Sequence, residues 1–269
     1  MSTAKNVPNA YFPLCDQAMV HPYLHHYTSL DKFKLIISGE QFLLNRLDQV
    51  SDKAENAFLP EFWRDKIFVC CFTHSTTDKE RFWSEYAKGN GVRISLPNEV
   101  IIPENFQILS ECGHCFQPRA RTEPTHKGYS CAKDWGWYDI SKLDIEYISP
   151  NDTPNWVDRG NALIKNCYEE RKYDWEEETR IRVALAPIGW EQKRGKGEIT
   201  FNTVRPWFTK IYMKMSPKIL RELLISVPED ATEEFINEVR QILKICKHTE
   251  NCKIYRLIQR NNETEDTGI

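Results

Sequence analysis

Leu-Leu-Ile-Ser-Val-Pro at 223–228, Thr-Glu-Glu-Phe-Ile-Asn-Glu-Val-Arg-Gln-Ile-Leu-Lys-Ile-Cys at 232–246 and Lys-Ile-Tyr-Arg-Leu-Ile at 253–258 make the clearest structural unit in the sequence. The first run is short and apolar, and Pro228 closes it, as at the end of a strand. Thr232 can cap a helix whose first turn carries Glu233 and Glu234, so acidic charge sits where the helix dipole favours it. The last run reads as a second strand. A strand–helix–strand unit at one end of a chain otherwise rich in strands predicts a mixed α+β domain rather than a regular doubly wound sheet. No Gly-x-Gly-x-x-Gly follows a strand, so a Rossmann dinucleotide site is not supported.

Working towards the N-terminus, Tyr23 to Thr28 reads as a short strand. A helix from Leu30 to Ser38 follows, with apolar Leu30, Phe33, Ile36 and Ile37 at helical spacing, Thr28 or Ser29 as its cap and Gly39 as its stop. Gln41 to Leu44 and Lys66 to Thr73 read as strands, Asp78 to Ala87 as a helix ended by Gly89-Asn90-Gly91, and Val92 to Leu96 as a half-buried alternating strand. Phe106 to Phe116 gives a further strand candidate, Gln117 to Asp152 is turn-rich, and Asn155 to Lys172 has a helical pattern. Thr179 to Ala186 alternates Ile181, Val183 and Leu185 as a strand does, and Glu198 to Asn202 and Phe208 to Met213 read as two more. With no Gly/Ser linker and no repeat, residues 1–260 are expected to form one domain and 261–269 a flexible polar tail.

Composition narrows the class. The chain has 269 residues, 41% of them hydrophobic and 12% aromatic, which supports a true core and argues against disorder. A formal net charge of -3 is unlike the strongly basic balance of a dedicated nucleic-acid binder. The local basic clusters Arg119/Arg121/Lys127 and Lys193/Arg194/Lys196 read first as solvated loop charge. No apolar run approaches the roughly 20 residues of a membrane helix, and Met1 to Val7 lacks a signal pattern, so the expected location is cytoplasmic. Nine scattered cysteines, an odd number, read as free and mostly buried thiols.

Four groups of residues could carry chemistry. In His25-His26-Tyr27-Thr28-Ser29, an imidazole and a hydroxyl two residues apart share a strand face and could hold ribose hydroxyls. The plain alternative is a histidine satisfying a turn. In Phe82-Trp83-Ser84-Glu85-Tyr86-Ala87, Trp83 and Tyr86 lie on one side of a helix and could stack on a base or pack in the core. In Trp175-Glu176-Glu177-Glu178-Thr179-Arg180, a strand beginning near Glu176 would point Glu176, Glu178 and Arg180 the same way. Two carboxylates on one face suit a reaction that builds an oxocarbenium-like sugar, although a solvated acidic helix end has the same composition. Cys112 and Cys115, with His126 and Cys131 further on, resemble tetrahedral zinc ligands in type but match no standard spacing. Cys70-Cys71 lies in an apolar strand and reads as core rather than nucleophile.

Taken in order, short blocks from Tyr23 to about Ile258 resemble a bacterial family whose members carry a domain of unknown function in the ADP-ribosyltransferase clan. The blocks are Tyr-Leu-His-His-Tyr-Thr-Ser-Leu-Asp at 23–31, Phe-Val-Cys-Cys-Phe-Thr at 68–73, Phe-Trp-Ser-Glu-Tyr-Ala at 82–87, Gly-Asn-Gly-Val-Arg-Ile at 89–94, Trp-Glu-Glu-Glu-Thr-Arg at 175–180 and the 223–258 tail. The resemblance implies an α+β fold of the ADP-ribosyltransferase type, with a split, mixed β-sheet core and surrounding helices. It also implies NAD as substrate, with cleavage of the nicotinamide–ribose bond and transfer of ADP-ribose. The clan's histidine, aromatic and glutamate fall on His26, Tyr86 and Glu178. His26 and Thr28 would hold a ribose, Tyr86 or Trp83 would pack on the nicotinamide, and Glu178 would stabilise the oxocarbenium. Glu176 would help activate the acceptor, and Arg93 and Arg180 would hold phosphates. The family's Asn-Asp-Pro block is replaced by Val50-Ser51-Asp52-Lys53, which sets the loop there apart.

The function expected on this basis is an NAD-dependent ADP-ribosyltransferase acting on a macromolecule, with DNA or RNA favoured because Trp135, Trp137, Trp190 and Trp207 could stack bases. A bacterial toxin or phage-defence effector, with an antitoxin partner, is the setting the resemblance implies. An NAD glycohydrolase without macromolecular acceptor and a non-catalytic nucleotide- or partner-binding module are the competing readings.

Overall fold

Residues 223–257 fold as their pattern predicts. Strand, helix and strand appear as Leu224–Val227, Glu233–Leu243 and Ile254–Leu257, and Thr232 caps the helix by accepting the Phe235 N–H at 3.2 Å. The computed structural model describes residues 21–49, 65–75, 79–113, 115–118, 135–148, 168–170, 175–187, 208–257 and 266–268. In chain order the elements are β1 (Tyr23–Ser29), α1 (Leu30–Gly39), β2 (Gln41–Arg46), β3 (Ile67–Thr73), α2 (Lys79–Glu85), β4 (Gly91–Pro97), β5 (Phe106–Ser110), β6 (Gln117–Pro118), β7 (Trp135–Asp144) and β8 (Glu146–Ile148). They continue with β9 (Tyr168–Glu170), β10 (Glu178–Pro187), β11 (Lys210–Met215), α3 (Pro217–Arg221), β12 (Leu224–Val227), α4 (Glu233–Leu243), β13 (Ile254–Leu257) and β14 (Asp266–Gly268). Three-residue 3₁₀ turns lie between some of them. Among the described residues no helix is long and apolar enough to cross a membrane.

The architecture is mixed α+β around a largely antiparallel open sheet, with strand order β14-β13-β12-β4-β1-β3-β10-β7-β6. The sheet forks at β3. One edge of β3 carries β10 along most of its length. The other is divided: β1 meets it at His25↔Thr73, while β2 meets it at Asn45↔Val69 and Arg46↔Phe68 and leads off to β11 and β5. β12 and β13 are parallel, as a strand–helix–strand crossover requires.

Directly paired residues on neighbouring strands point to the same face, so the register assigns every side chain. One face carries Leu24, Phe68, Cys70, Phe72, Ile94, Leu96, Ile181 and Val183, all buried in one cluster with Phe33 and Ile37 of α1 and Ile236 and Val239 of α4. This is the main core. The opposite face of the same strands carries His25, Thr73, Arg93, Ser95, Glu178, Arg180 and Arg182, which are polar and also buried. The central strands are therefore covered on both sides.

Several expectations are corrected. β4 is buried at every residue from Gly91 to Leu96, not half-buried, because Arg93 and Ser95 on its second face bond Ser226 at 3.1 Å and His25 at 2.8 Å. Gly39 does not stop α1. Glu40 takes the left-handed cap position with φ 54°, and its N–H reaches Ile36 O and Ile37 O. Tyr168–Glu170, at the end of the segment with a helical pattern, is a strand paired in parallel with β8. Asp266–Gly268, in the expected flexible tail, pairs with β13. Strand β5 ends at Ser110 rather than Phe116, and the chain turns at Gly113, whose φ of 78° suits glycine. The ten residues of β7 fall inside the stretch that reads as turn-rich. The Glu198 to Asn202 strand lies outside the described residues.

Candidate active site

The paired carboxylates sit where the chain enters β10. Trp175 and Glu176 form a short 3₁₀ turn, Glu177 takes a left-handed φ of 42°, and the strand begins at Glu178. Glu176 is therefore not on the strand as its spacing suggested. The turn at Glu177, a conformation disfavoured by about 1–2 kcal/mol for a residue with a side chain, brings Glu176 alongside by another route.

Glu178 and Arg180, two apart on β10, share a face and form a two-pronged ion pair. Arg180 Nε donates to Oε1 at 2.6 Å and Nη2 to Oε2 at 3.0 Å, with both side chains buried. Arg180 thus turns towards the carboxylate rather than a phosphate. The Cys71 thiol, opposite Arg180 across the ladder, lies beside Glu178. Desolvation and that carboxylate hold it well above the usual thiol range, so it stays protonated. Cys70 points into the main core and Cys71 to the opposite face, beside Arg180, which separates two residues that the sequence reads alike.

Glu176 accepts the Tyr86 O–H at 2.5 Å. Burial and then the nearby Glu178 charge push the Glu176 carboxyl up, against the Tyr86 hydrogen bond and Arg180, to about 7. Burial and the Glu176 contact push the Tyr86 phenol far up, so it remains a donor. Helix α2 places Tyr86. Phe82 and Trp83 are buried against Tyr27 of β1, and Tyr86, 43% exposed, faces Trp175 with 6.3 Å between ring centres. Gly91 permits this approach: a Cβ there would fall 2.0 Å from Thr28 O and 2.7 Å from Ala87 O. The Arg81 guanidinium lies 3.9 Å over the Trp175 ring, and the buried Trp175 indole N–H has no hydrogen-bond partner among the described residues. Trp83 is thus a core residue and Tyr86 the aromatic at the carboxylates.

The two histidines divide between the faces. The ladder His25↔Thr73↔Glu178 puts His25 on the Glu178 side, two strand spacings or about 10 Å away. His26 was expected there. Its ring instead packs on Phe42 and Phe72 of the main core, and Nδ1–H donates to Cys71 O at 2.9 Å. Because a carbonyl only accepts, that bond leaves Nε2 as the lone-pair nitrogen of a neutral ring, and burial keeps the His26 pKa below its usual value. Thr28 shares the His26 face and is buried opposite Val92. Arg93 is buried on the His25 side and donates to Ser226.

Sequence reasoning passed over Thr73 and Cys71 as members of this group, and between His25 and His26, a choice that rests on strand register, it took His26. Strand pairing across about a hundred residues unites Thr73, Cys71 and His25 with Glu178, and no local signal announces it. Of the zinc candidates, Cys112 is disulfide-bonded and Cys115 is a free, half-buried thiol, while His126 and Cys131 lie outside the described residues. Among the described residues no group of three metal-binding side chains converges. The expectation of free thiols fails at Cys112. Trp190, Trp207, the clusters Arg119/Arg121/Lys127 and Lys193/Arg194/Lys196, and the loop at 50–53 also lie outside the described residues, as do the side chains of Trp135 and Trp137.

Compared with known proteins, the chain has no significant match to a family model, a curated protein or a solved structure. The resemblance drawn from the six short blocks stands on those blocks alone.

Proposed function

We propose that this chain adopts an ADP-ribosyltransferase-like fold and cleaves the nicotinamide–ribose bond of NAD, transferring ADP-ribose to an acceptor. The observation that carries the reading is the unlike pair of carboxylates. Glu178 is locked by the Arg180 fork, and Glu176, beside it, is tuned to about 7. Two carboxyls whose environments differ are what a glycosyl reaction uses: one faces the positive charge that develops on the sugar, the other handles a proton near neutral pH.

Each residue then has a part. Glu178 holds the ribose hydroxyl and stabilises the oxocarbenium as nicotinamide leaves with the bonding electron pair. Tyr86, with Trp175 behind it, walls the nicotinamide side. Glu176 takes the acceptor's proton as the acceptor attacks the anomeric carbon. His25, on the Glu178 face, is better placed than His26 to meet a ribose hydroxyl. A nucleic-acid acceptor remains the preferred class, on sequence grounds.

The Glu176 base serves water as well as a macromolecule, so NAD hydrolysis is the second reading. The test is labelled NAD incubated with the protein and cell extract. Nicotinamide release that Glu178→Gln abolishes supports both. Label retained on macromolecule and removed by nuclease but not protease identifies the acceptor as nucleic acid, and free ADP-ribose alone selects hydrolysis. No nicotinamide release from the intact chain would sink both.

A further inference from the structure

We infer that Thr73 is the positioning residue of the carboxylate turn: its hydroxyl fixes the left-handed backbone at Glu177 and so holds Glu176 and Glu178 side by side. Thr73 ends β3, is buried, and lies directly opposite Glu178. Its hydroxyl proton goes to Glu176 O at 2.5 Å, with Glu177 O at 3.4 Å, and its oxygen accepts the Ser75 N–H at 2.8 Å. The next residue completes the clamp, as His74 N–H donates to Glu177 O at 3.2 Å.

Successive carbonyls on both sides of the left-handed residue are thereby tied to one strand end. A non-glycine residue with φ 42° persists only where its surroundings over-determine it. The carbonyls of Glu176 and Glu177 point at β3 because donors wait for them there. Valine in place of Thr73 keeps the shape and removes the donor, leaving a carbonyl facing a methyl group. The turn is then free to relax, and Glu176 leaves Tyr86. Serine keeps the donor. The catalytic consequence rests on the NAD-cleaving reading, but the geometric claim does not.

The experiment is a carbon-13 NMR titration of the glutamate side chains in the full chain, with wild type, Thr73→Val and Thr73→Ser compared. The wild-type Glu176 carboxyl titrates at about 7. Thr73→Val is expected to return it to near its ordinary 4.5, and Thr73→Ser to leave it raised. In NAD turnover, Thr73→Val is expected to lower kcat at least tenfold with KM within threefold, and Thr73→Ser to restore it. Glu177→Gly added to Thr73→Val, which removes the steric objection to the left-handed turn, is expected to recover part of the loss. An unchanged Glu176 titration in Thr73→Val overturns the inference. So does failure of both Thr73→Val and Thr73→Ala to fold, which would make the role simply structural. The titration is read whether or not NAD is consumed, so loss of the NAD reading and loss of this one are told apart.

Discussion

Tyr86 and Glu176, 90 residues apart, meet in a hydrogen bond of 2.5 Å in which the phenol is the donor. The bond favours the charged form of the carboxyl, while burial and Glu178 oppose it. Tyr86→Phe removes the larger of the two contacts that favour the charged form, the other being Arg180, and leaves the packing on Phe82 and Trp175. The Glu176 titration is then expected to move above about 7 by about one unit, the worth of a hydrogen bond to a charged group. In a pH–rate profile, the limb that rises as the base loses its proton moves to higher pH in Tyr86→Phe. A limb that stays in place would remove Glu176 from the role of base.

Stability carries the same signature with its own sign. Glu176 titrates near 4.5 in an unfolded chain and at about 7 in the folded one, so folding takes up a proton between those values. The native state binds more protons there, and stability falls as pH rises through that window. Glu176→Gln removes the effect. Its stability relative to wild type is expected to improve from pH 4.5 to pH 7 by about 2 kcal/mol, a figure reduced for the partial exposure of the carboxyl. Urea denaturation at a series of pH values measures it. A difference that is flat with pH would contradict the raised carboxyl.

The Glu178–Arg180 pair is buried, so its members are costly to separate. Arg180→Ala leaves a buried carboxylate without its fork and is expected to destabilise the fold by about 3–5 kcal/mol. Glu178→Leu with Arg180→Leu removes both charges and is expected to recover most of that stability while abolishing NAD cleavage. Glu178→Gln is expected to fold and to lose on the order of a hundredfold or more in turnover. Denaturation curves and nicotinamide release, measured on the same preparations, separate the pair's structural part from its chemical one.

The histidines give a paired comparison. His26→Ala strips a ring that packs on both Phe42 and Phe72 and is expected to cost about 1–3 kcal/mol in stability. His25→Ala is expected to raise the KM for NAD by a larger factor than His26→Ala does. The reverse order, measured by NAD kinetics on folded variants, would return the ribose contact to His26.

How much of this was legible depended on how local each signal was. The tail from Leu223 was readable because Thr232, the glutamates after it and the spacing of Ile236, Val239, Ile242 and Leu243 all act within one helix. Strand β1 and helix α1 were readable for the same reason. The face of each histidine was not, because a strand alternates whatever its register, and only pairing with Thr73 decides which side meets Glu178. β4 alternates Val-Arg-Ile-Ser-Leu, which reads as half-buried. Its polar positions find Ser226 and His25, partners far away in sequence. Glu-x-Glu-x-Arg suggested one continuous strand, and the left-handed Glu177 broke it. The carboxylate pair survived the error because the turn restores by folding what the spacing alone would have supplied.

The strand β3 has a consequence for how the protein comes into being. It must receive β10 on one edge, yet His74 and Thr179, which meet at their junction, are 105 residues apart. Closing so long a loop is entropically slow. The limb through β2 reaches β3 over a far shorter span. During synthesis, β1, β2 and β3 therefore emerge well before the carboxylates exist. The chain gains its two glutamates beside Thr73 as a late event, and a nascent chain that ends before Glu176 presents the end of β3 with neither carboxylate in place.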